Sequence, residues 1–92
     1  MATPVTNHLL MFGGTECTHC HEMDPFVEQL KKEEGIEIQY FETWHDEDNA
    51  KLLEELDKGR CGGVPFFYNT KTEKFICGSC DYETLKAWAK GA

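Results

Sequence analysis

The four residues Cys17-Thr18-His19-Cys20 stand between an apolar run, His8-Leu9-Leu10-Met11-Phe12, and a helical pattern that begins near Cys20. That placement constrains the fold more than the residues themselves do. A dithiol at a strand-to-helix junction requires a strand to end, a short loop to turn and a helix to begin within a few positions. A thiol there meets the positive end of the helix dipole, which favours its thiolate. A second cysteine one turn later can close a disulfide with the first. A thiolate that attacks, beside a partner that resolves, is the minimum equipment for dithiol–disulfide exchange.

The flanking sequence supplies the elements that this junction needs. Residues 1–6 read as a tail broken by Pro4, and Asn7 to Phe12 as a buried central strand. Gly13-Gly14-Thr15-Glu16 is the loop that delivers Cys17. Met23, Phe26, Val27 and Leu30 recur at i, i+3, i+4 and i+7, the apolar face of a helix. Pro25 lies inside that helix and is expected to kink it. Lys31 and Lys32 fill its last turn, and Gly35 stops it. Ile36 to Phe41 alternates as a strand with one buried face. The polar stretch Thr43 to Asn49 offers N-caps to a helix carrying Ala50, Leu52, Leu53 and Leu56, which Gly59 ends. After the turn Arg60-Cys61-Gly62-Gly63, Val64 to Tyr68 and Glu73 to Cys77 read as two strands joined by turn residues Asn69 to Thr72. Asp81 can cap a last helix bearing Leu85, Trp88 and Ala89. The order β-α-β-α-β-β-α predicts one α/β domain over residues 1–92. Its first two strands should run parallel through a right-handed crossover, and its last two should form a hairpin.

Composition narrows the function classes. With 92 residues and a 40% apolar fraction the chain can bury one small core. Its net charge of −8 argues against nucleic acid, whose phosphates require a basic face, and against docking on anionic lipid. No run approaches the roughly 20 apolar residues of a membrane span. Met1-Ala2-Thr3-Pro4 has neither the basic start nor the apolar region of a secretory signal, so a cytoplasmic monomer is the expectation, with an organellar form after transit-peptide removal left open. Five cysteines in such a chain point to redox or metal chemistry rather than a disulfide scaffold.

Three local features together resemble the thioredoxin fold over about residues 7–90. Pro25 follows Cys20 by five residues, where thioredoxins have their helix-kinking proline. Gly63-Val64-Pro65 matches the family's cis-proline segment. Cys77-Gly78 runs into Asp81 and the last amphipathic helix. The resemblance implies a mixed four-stranded sheet flanked by helices, with Cys17 as nucleophile and Cys20 as resolving thiol. It implies a cis Pro65 facing them, and Val64 lending its backbone to a substrate strand. Thr18, His19, Val64 and Pro65 are the expected substrate contacts. The physics of the junction adds that Cys17 should be exposed, Cys20 buried, and the Cys17 pKa below the free value of about 8.5.

The size is closer to a glutaredoxin, and Gly78-Ser79-Cys80-Asp81 resembles the glutaredoxin loop that holds the γ-glutamyl end of glutathione. The Cys-Pro-Tyr-Cys of many glutaredoxins and the lysine before it are absent, and Glu16 precedes Cys17 instead. The Trp and the Gly-Pro pair of thioredoxins are also absent, and Met11 stands where they bury an aspartate. The Cys-x-His-Cys pattern occurs in strongly oxidising periplasmic relatives, where an imidazole stabilises the thiolate. Glu16 would oppose that if close to the sulfur.

Cys61, Cys77 and Cys80 admit three readings. They are incidental buried thiols, or Cys77 and Cys80 form an auxiliary redox pair, or two Cys-x-x-Cys pairs about 57 residues apart form a four-thiolate metal site. The second is the working expectation, with no metal. His8 and His45 read as isolated, and His21 as a solvated helix position with a metal site or the active centre as alternatives. Trp44 and Trp88 read as covers for core edges, with Trp44 alternatively rimming a substrate groove. The acidic run Glu42 to Asp48 reads as a solvated helix start, or as a means of discriminating partners by charge. The expected function is thiol–disulfide exchange with disulfide-containing protein substrates, reset by an upstream thiol reductant and needing no cofactor beyond the dithiol. The alternatives are a glutathione-dependent, glutaredoxin-like reductase and a metal-binding or interaction module on the same fold.

Overall fold

The computed structural model describes residues 4–91. Its centre is β1 (Leu9–Gly13), all five residues of which are buried. β2 (Gln39–Glu42) lies parallel to β1 on one side, β3 (Phe66–Asn69) lies antiparallel on the other, and β4 (Phe75–Cys77) forms the edge beyond β3. The helices are α1 (Thr18–Glu22), α2 (Asp24–Glu34), α3 (Glu47–Asp57) and α4 (Tyr82–Ala89). The predicted order β-α-β-α-β-β-α holds, with the first helix in two pieces.

β1 reads as a continuous apolar run because both its faces are covered. Leu9 and Met11 join Met23, Leu30, Phe67, Leu85 and Trp88 beneath α2 and α4. Leu10 and Phe12 join Phe41 and Phe66 on the opposite face, beneath Leu52, Leu53 and Leu56 of α3. Phe12 stacks on Phe41 with ring centroids 5.2 Å apart, and Phe67 meets the edge of Trp88 at 5.5 Å. Each such fully buried aromatic contributes about 2 kcal/mol of transfer free energy. Trp88 is thus core, at 4% exposure, whereas Trp44 is 52% exposed.

Several expected boundaries move for identifiable reasons. The helix after the dithiol is not kinked within; it is split at Met23, so that Pro25 falls in the first turn of α2, where its missing N–H leaves no bond unmade. β2 begins at Gln39, not Ile36, because its ladder with β1 starts at the pair Leu10–Gln39. Of the expected tail, residues 1–3 lie outside the described residues. Its remainder is tied by side chains: Gln39 Oε1 accepts from the Thr6 N–H at 2.9 Å, and Gln39 Nε2 donates to the Pro4 carbonyl at 2.7 Å. The hairpin turn is organised by the buried Asn69, whose Oδ1 accepts from the N–H groups of Lys71 and Thr72. Asp46 and Asp81 cap α3 and α4 through the N–H groups of Asn49 and Thr84, as Asx residues at helix starts should.

Candidate active site

β1 ends at Gly13, the chain turns through a Cys17 N–H to Gly14 carbonyl bond of 3.0 Å, and Cys17 becomes the N-cap of α1. Its sulfur accepts a hydrogen bond from the Cys20 N–H at 3.1 Å. The same geometry places Cys20 one turn on, and the two sulfurs are joined as a disulfide across a Cα–Cα distance of 5.2 Å. Cys20 is 2% exposed, as expected. Cys17 is 6% exposed rather than open to solvent, because the bond to the inward-facing Cys20 draws its sulfur against the same cluster.

The Val64–Pro65 peptide bond is cis. Pro65 is fully buried, and its carbonyl accepts from the Gly78 N–H at 2.8 Å, which docks the segment before α4 beside it. Val64 is half-buried and packs against the cluster that contains Cys17 and Cys20. Thr18 and His19 are exposed between the cysteines. The His19 ring pairs with Glu22 at 2.8 Å, so its nearest charged partner is a carboxylate and not the sulfur. Glu16 is likewise engaged elsewhere, 2.7 Å from His45 Nε2. That bond and the Glu16 charge raise the His45 pKa.

Glu42 ties the loops around the dithiol together. Burial pushes its carboxyl pKa up, but N–H donors from His45, Thr15 and Trp44 outweigh this and hold it below the ordinary value. His21, read as a solvated position, instead bridges the loop before Cys17 and the start of α2. Its Nε2 donates to the Thr15 carbonyl at 2.6 Å and its Nδ1 faces Asp24 at 3.0 Å. Both partners are acceptors, first the Thr15 carbonyl and then Asp24, so the His21 pKa rises and the doubly protonated ring is favoured. A cavity of about 360 Å³ behind Cys20 is lined by Thr15, His21, Asp24 and Tyr40. Gly13 permits that approach: a Cβ there would stand 3.0 Å from the Tyr40 hydroxyl and 3.3 Å from the Cys20 sulfur.

The expected Cys77–Cys80 pair is not formed. Cys77 is bonded to Cys61, with Cα atoms 5.5 Å apart, and Cys80 is a free thiol. The reason is strand alternation. Cys77 pairs with Phe66 across the β3–β4 ladder and so shares its face, where Cys61 also packs. Cys80 turns to the other face, its N–H 3.5 Å from Met23 Sδ. Burial, reinforced by Asp81, pushes the Cys80 thiol pKa up, which suits a thiol that stays protonated. The alternative four-thiolate grouping is not assembled either, and among the described residues no three His, Cys, Asp or Glu side chains converge as metal ligands. Asp57 holds the Cys61 turn by accepting from the N–H groups of Cys61 and Gly62 at 2.7 and 2.8 Å. The Cys61 partner was legible only as geometry: the turn before β3 and the end of β4 are brought together by antiparallel pairing.

No family model matches the sequence, and no curated protein matches it. Among solved structures, the crystal structure of the glutaredoxin (grx-1) from Archaeoglobus fulgidus superposes with a TM-score of 0.64. The alignment covers 88% of this chain and 84% of that one, at 23% identity. The fold is the thioredoxin fold. Within it, the dithiol sits at the start of the helix after the first strand, and the cis-proline opens the third. Among the described residues no helix is long and apolar enough to cross a membrane.

Proposed function

We propose that this chain is a thiol–disulfide oxidoreductase that exchanges the Cys17–Cys20 pair with disulfide-containing protein substrates. The observation that carries the reading is the disulfide itself. Cys17 caps a helix with the Cys20 amide on its sulfur, while Val64, before a cis-proline, packs against the same cluster. In the reduced state the Cys20 amide stabilises negative charge on the Cys17 sulfur. The Cys17 thiolate attacks one sulfur of the substrate disulfide, forming a mixed disulfide and expelling the other sulfur as a thiolate. Cys20 then loses its proton and attacks the Cys17 sulfur. The mixed disulfide breaks, the second substrate thiolate leaves, and Cys17–Cys20 is left as a disulfide, having given two electrons to the substrate. An upstream dithiol or thiol reductant returns those electrons.

Reduction of insulin disulfides, followed by turbidity, tests the reading. Cys17→Ser should abolish it, and Cys20→Ser should accumulate a mixed disulfide that mass spectrometry detects. Turnover that survives Cys17→Ser refutes the assignment. Turnover that occurs only with glutathione points to the glutathione-dependent alternative, and a stoichiometric metal lost on Cys77→Ser points to the metal-binding one.

A further inference from the structure

A groove of about 410 Å³ opens between the loop after β2, α3 and the turn before Pro65, with Trp44, Leu53, Glu54, Asp57, Gly63 and Val64 among its walls. We propose that this groove is the specificity site of the exchange reaction, and that it takes an extended polypeptide segment presenting a bulky apolar side chain beside a basic one. The inference rests on the exchange reading above.

Three observations carry it. The first is continuity. Val64 belongs both to the groove wall and to the residues packed against the buried cluster that includes Cys17 and Cys20, so a chain bonded to Cys17 and lying along Val64 continues into the groove.

The second is the indole. Trp44 is 52% exposed in a protein whose other tryptophan is 4% exposed. It is nevertheless held in place. Its ring packs against Gly14, where a Cβ would overlap it, and its backbone N–H donates to Glu42. The preceding Thr43 bonds the Gly13 carbonyl through both its N–H and its hydroxyl, at 2.8 and 3.0 Å. A fixed, wet aromatic face against the loop that leads to Cys17 suits an apolar or cationic side chain, which gains area or a cation–π contact there.

The third is charge. Glu54 and Asp57 line the groove and no lysine or arginine does. Arg60, close in sequence, is turned away, its guanidinium 4.2 Å above the Phe75 ring and bonded to the Leu56 and Asp57 carbonyls. His45, next to Trp44 in sequence, is outside the lining and faces Glu16. A substrate with carboxylates on both sides of its cysteine, as in glutathione, meets no cation in this groove. A segment with a lysine or arginine meets the exposed Glu54 carboxylate, the buried Asp57 carboxylate being held by two backbone N–H groups.

Two disulfide-linked peptides that differ only in carrying two lysines or two glutamates beside a leucine and the cysteine would test this. The wild-type protein should show a kcat/KM ratio of about tenfold for the lysine peptide at low salt, shrinking as salt screens the charges. Glu54→Lys should bring the ratio near one. Glu28→Lys adds the same charge on the exposed part of α2 and should leave the ratio as it is. Anisotropy with the same peptides carrying serine for cysteine reads occupancy without chemistry, and Trp44→Ala should weaken lysine-peptide binding at least threefold. A ratio near one in the wild type, or equal binding of both serine peptides, overturns the proposal. Preferential binding without any turnover would sustain the groove assignment and refute the exchange reading alone.

Discussion

Removing the Cys61–Cys77 bridge gives a quantitative test of what holds the β3–β4 edge in place. The bridge spans 16 residues of sequence, and opening it frees that loop in the unfolded chain. The chain-entropy relation for a loop of this length corresponds to about 3 kcal/mol, against under about 2 kcal/mol for the 3-residue separation of Cys17–Cys20. The substitution itself should add little. Cys77 is exposed and Cys61 half-buried, so a double Cys61→Ser, Cys77→Ser variant leaves only a small void against Phe66. The turn also keeps its Asp57 and Arg60 bonds, so the variant should fold. Guanidinium unfolding without reductant should show a loss of about 3 kcal/mol and a slightly steeper denaturant slope, because the uncrosslinked chain exposes more surface. For a domain of this size that is roughly 12–24 °C in Tm. A loss below about 1 kcal/mol, or an unchanged Tm, would refute the assignment of this bridge as the main staple of the β3–β4 edge.

Gly14→Ala should displace the Trp44 indole, since a Cβ there overlaps its ring, and cost about 1–2 kcal/mol with increased acrylamide quenching of tryptophan fluorescence; unchanged stability and quenching would contradict the contact. Asp57→Ala removes the acceptor for two backbone N–H groups and should cost about 2 kcal/mol, with faster amide exchange at Cys61 and Gly62; a loss under about 0.5 kcal/mol would count against this role. Hydrogen bonds from Lys90 and then Lys86 lower the Glu34 pKa from its ordinary 4.5. A carboxyl with a lower folded pKa stabilises the fold fully above the unfolded value, and that share is lost as pH falls through the folded one. Urea unfolding should therefore show stability falling below about pH 4.5 in the wild type and a flatter profile in Glu34→Gln, whereas parallel profiles would exclude the contribution.

What was legible in the sequence was whatever short-range pattern dictates. The unbroken apolar run at Leu9–Phe12 announced a strand covered on both faces. The dithiol and the Val64-Pro65 segment fell where the thioredoxin resemblance placed them, and Asp46 and Asp81 capped the helices they precede. These follow from residue type and spacing, which act over one or two turns of chain. Tertiary structure decided the rest. Cys77 sits three residues from Cys80 and sixteen from Cys61, yet strand pairing with Phe66 turns its sulfur to the face where Cys61 packs and away from Cys80. Cys17 is buried because its partner's sulfur points inward. Trp44 became a fixed exposed surface only because Gly14, thirty residues earlier, leaves room for its ring. Side-chain direction in a strand alternates at every residue, so partnership between distant positions depends on register, and register is set only when the whole sheet closes.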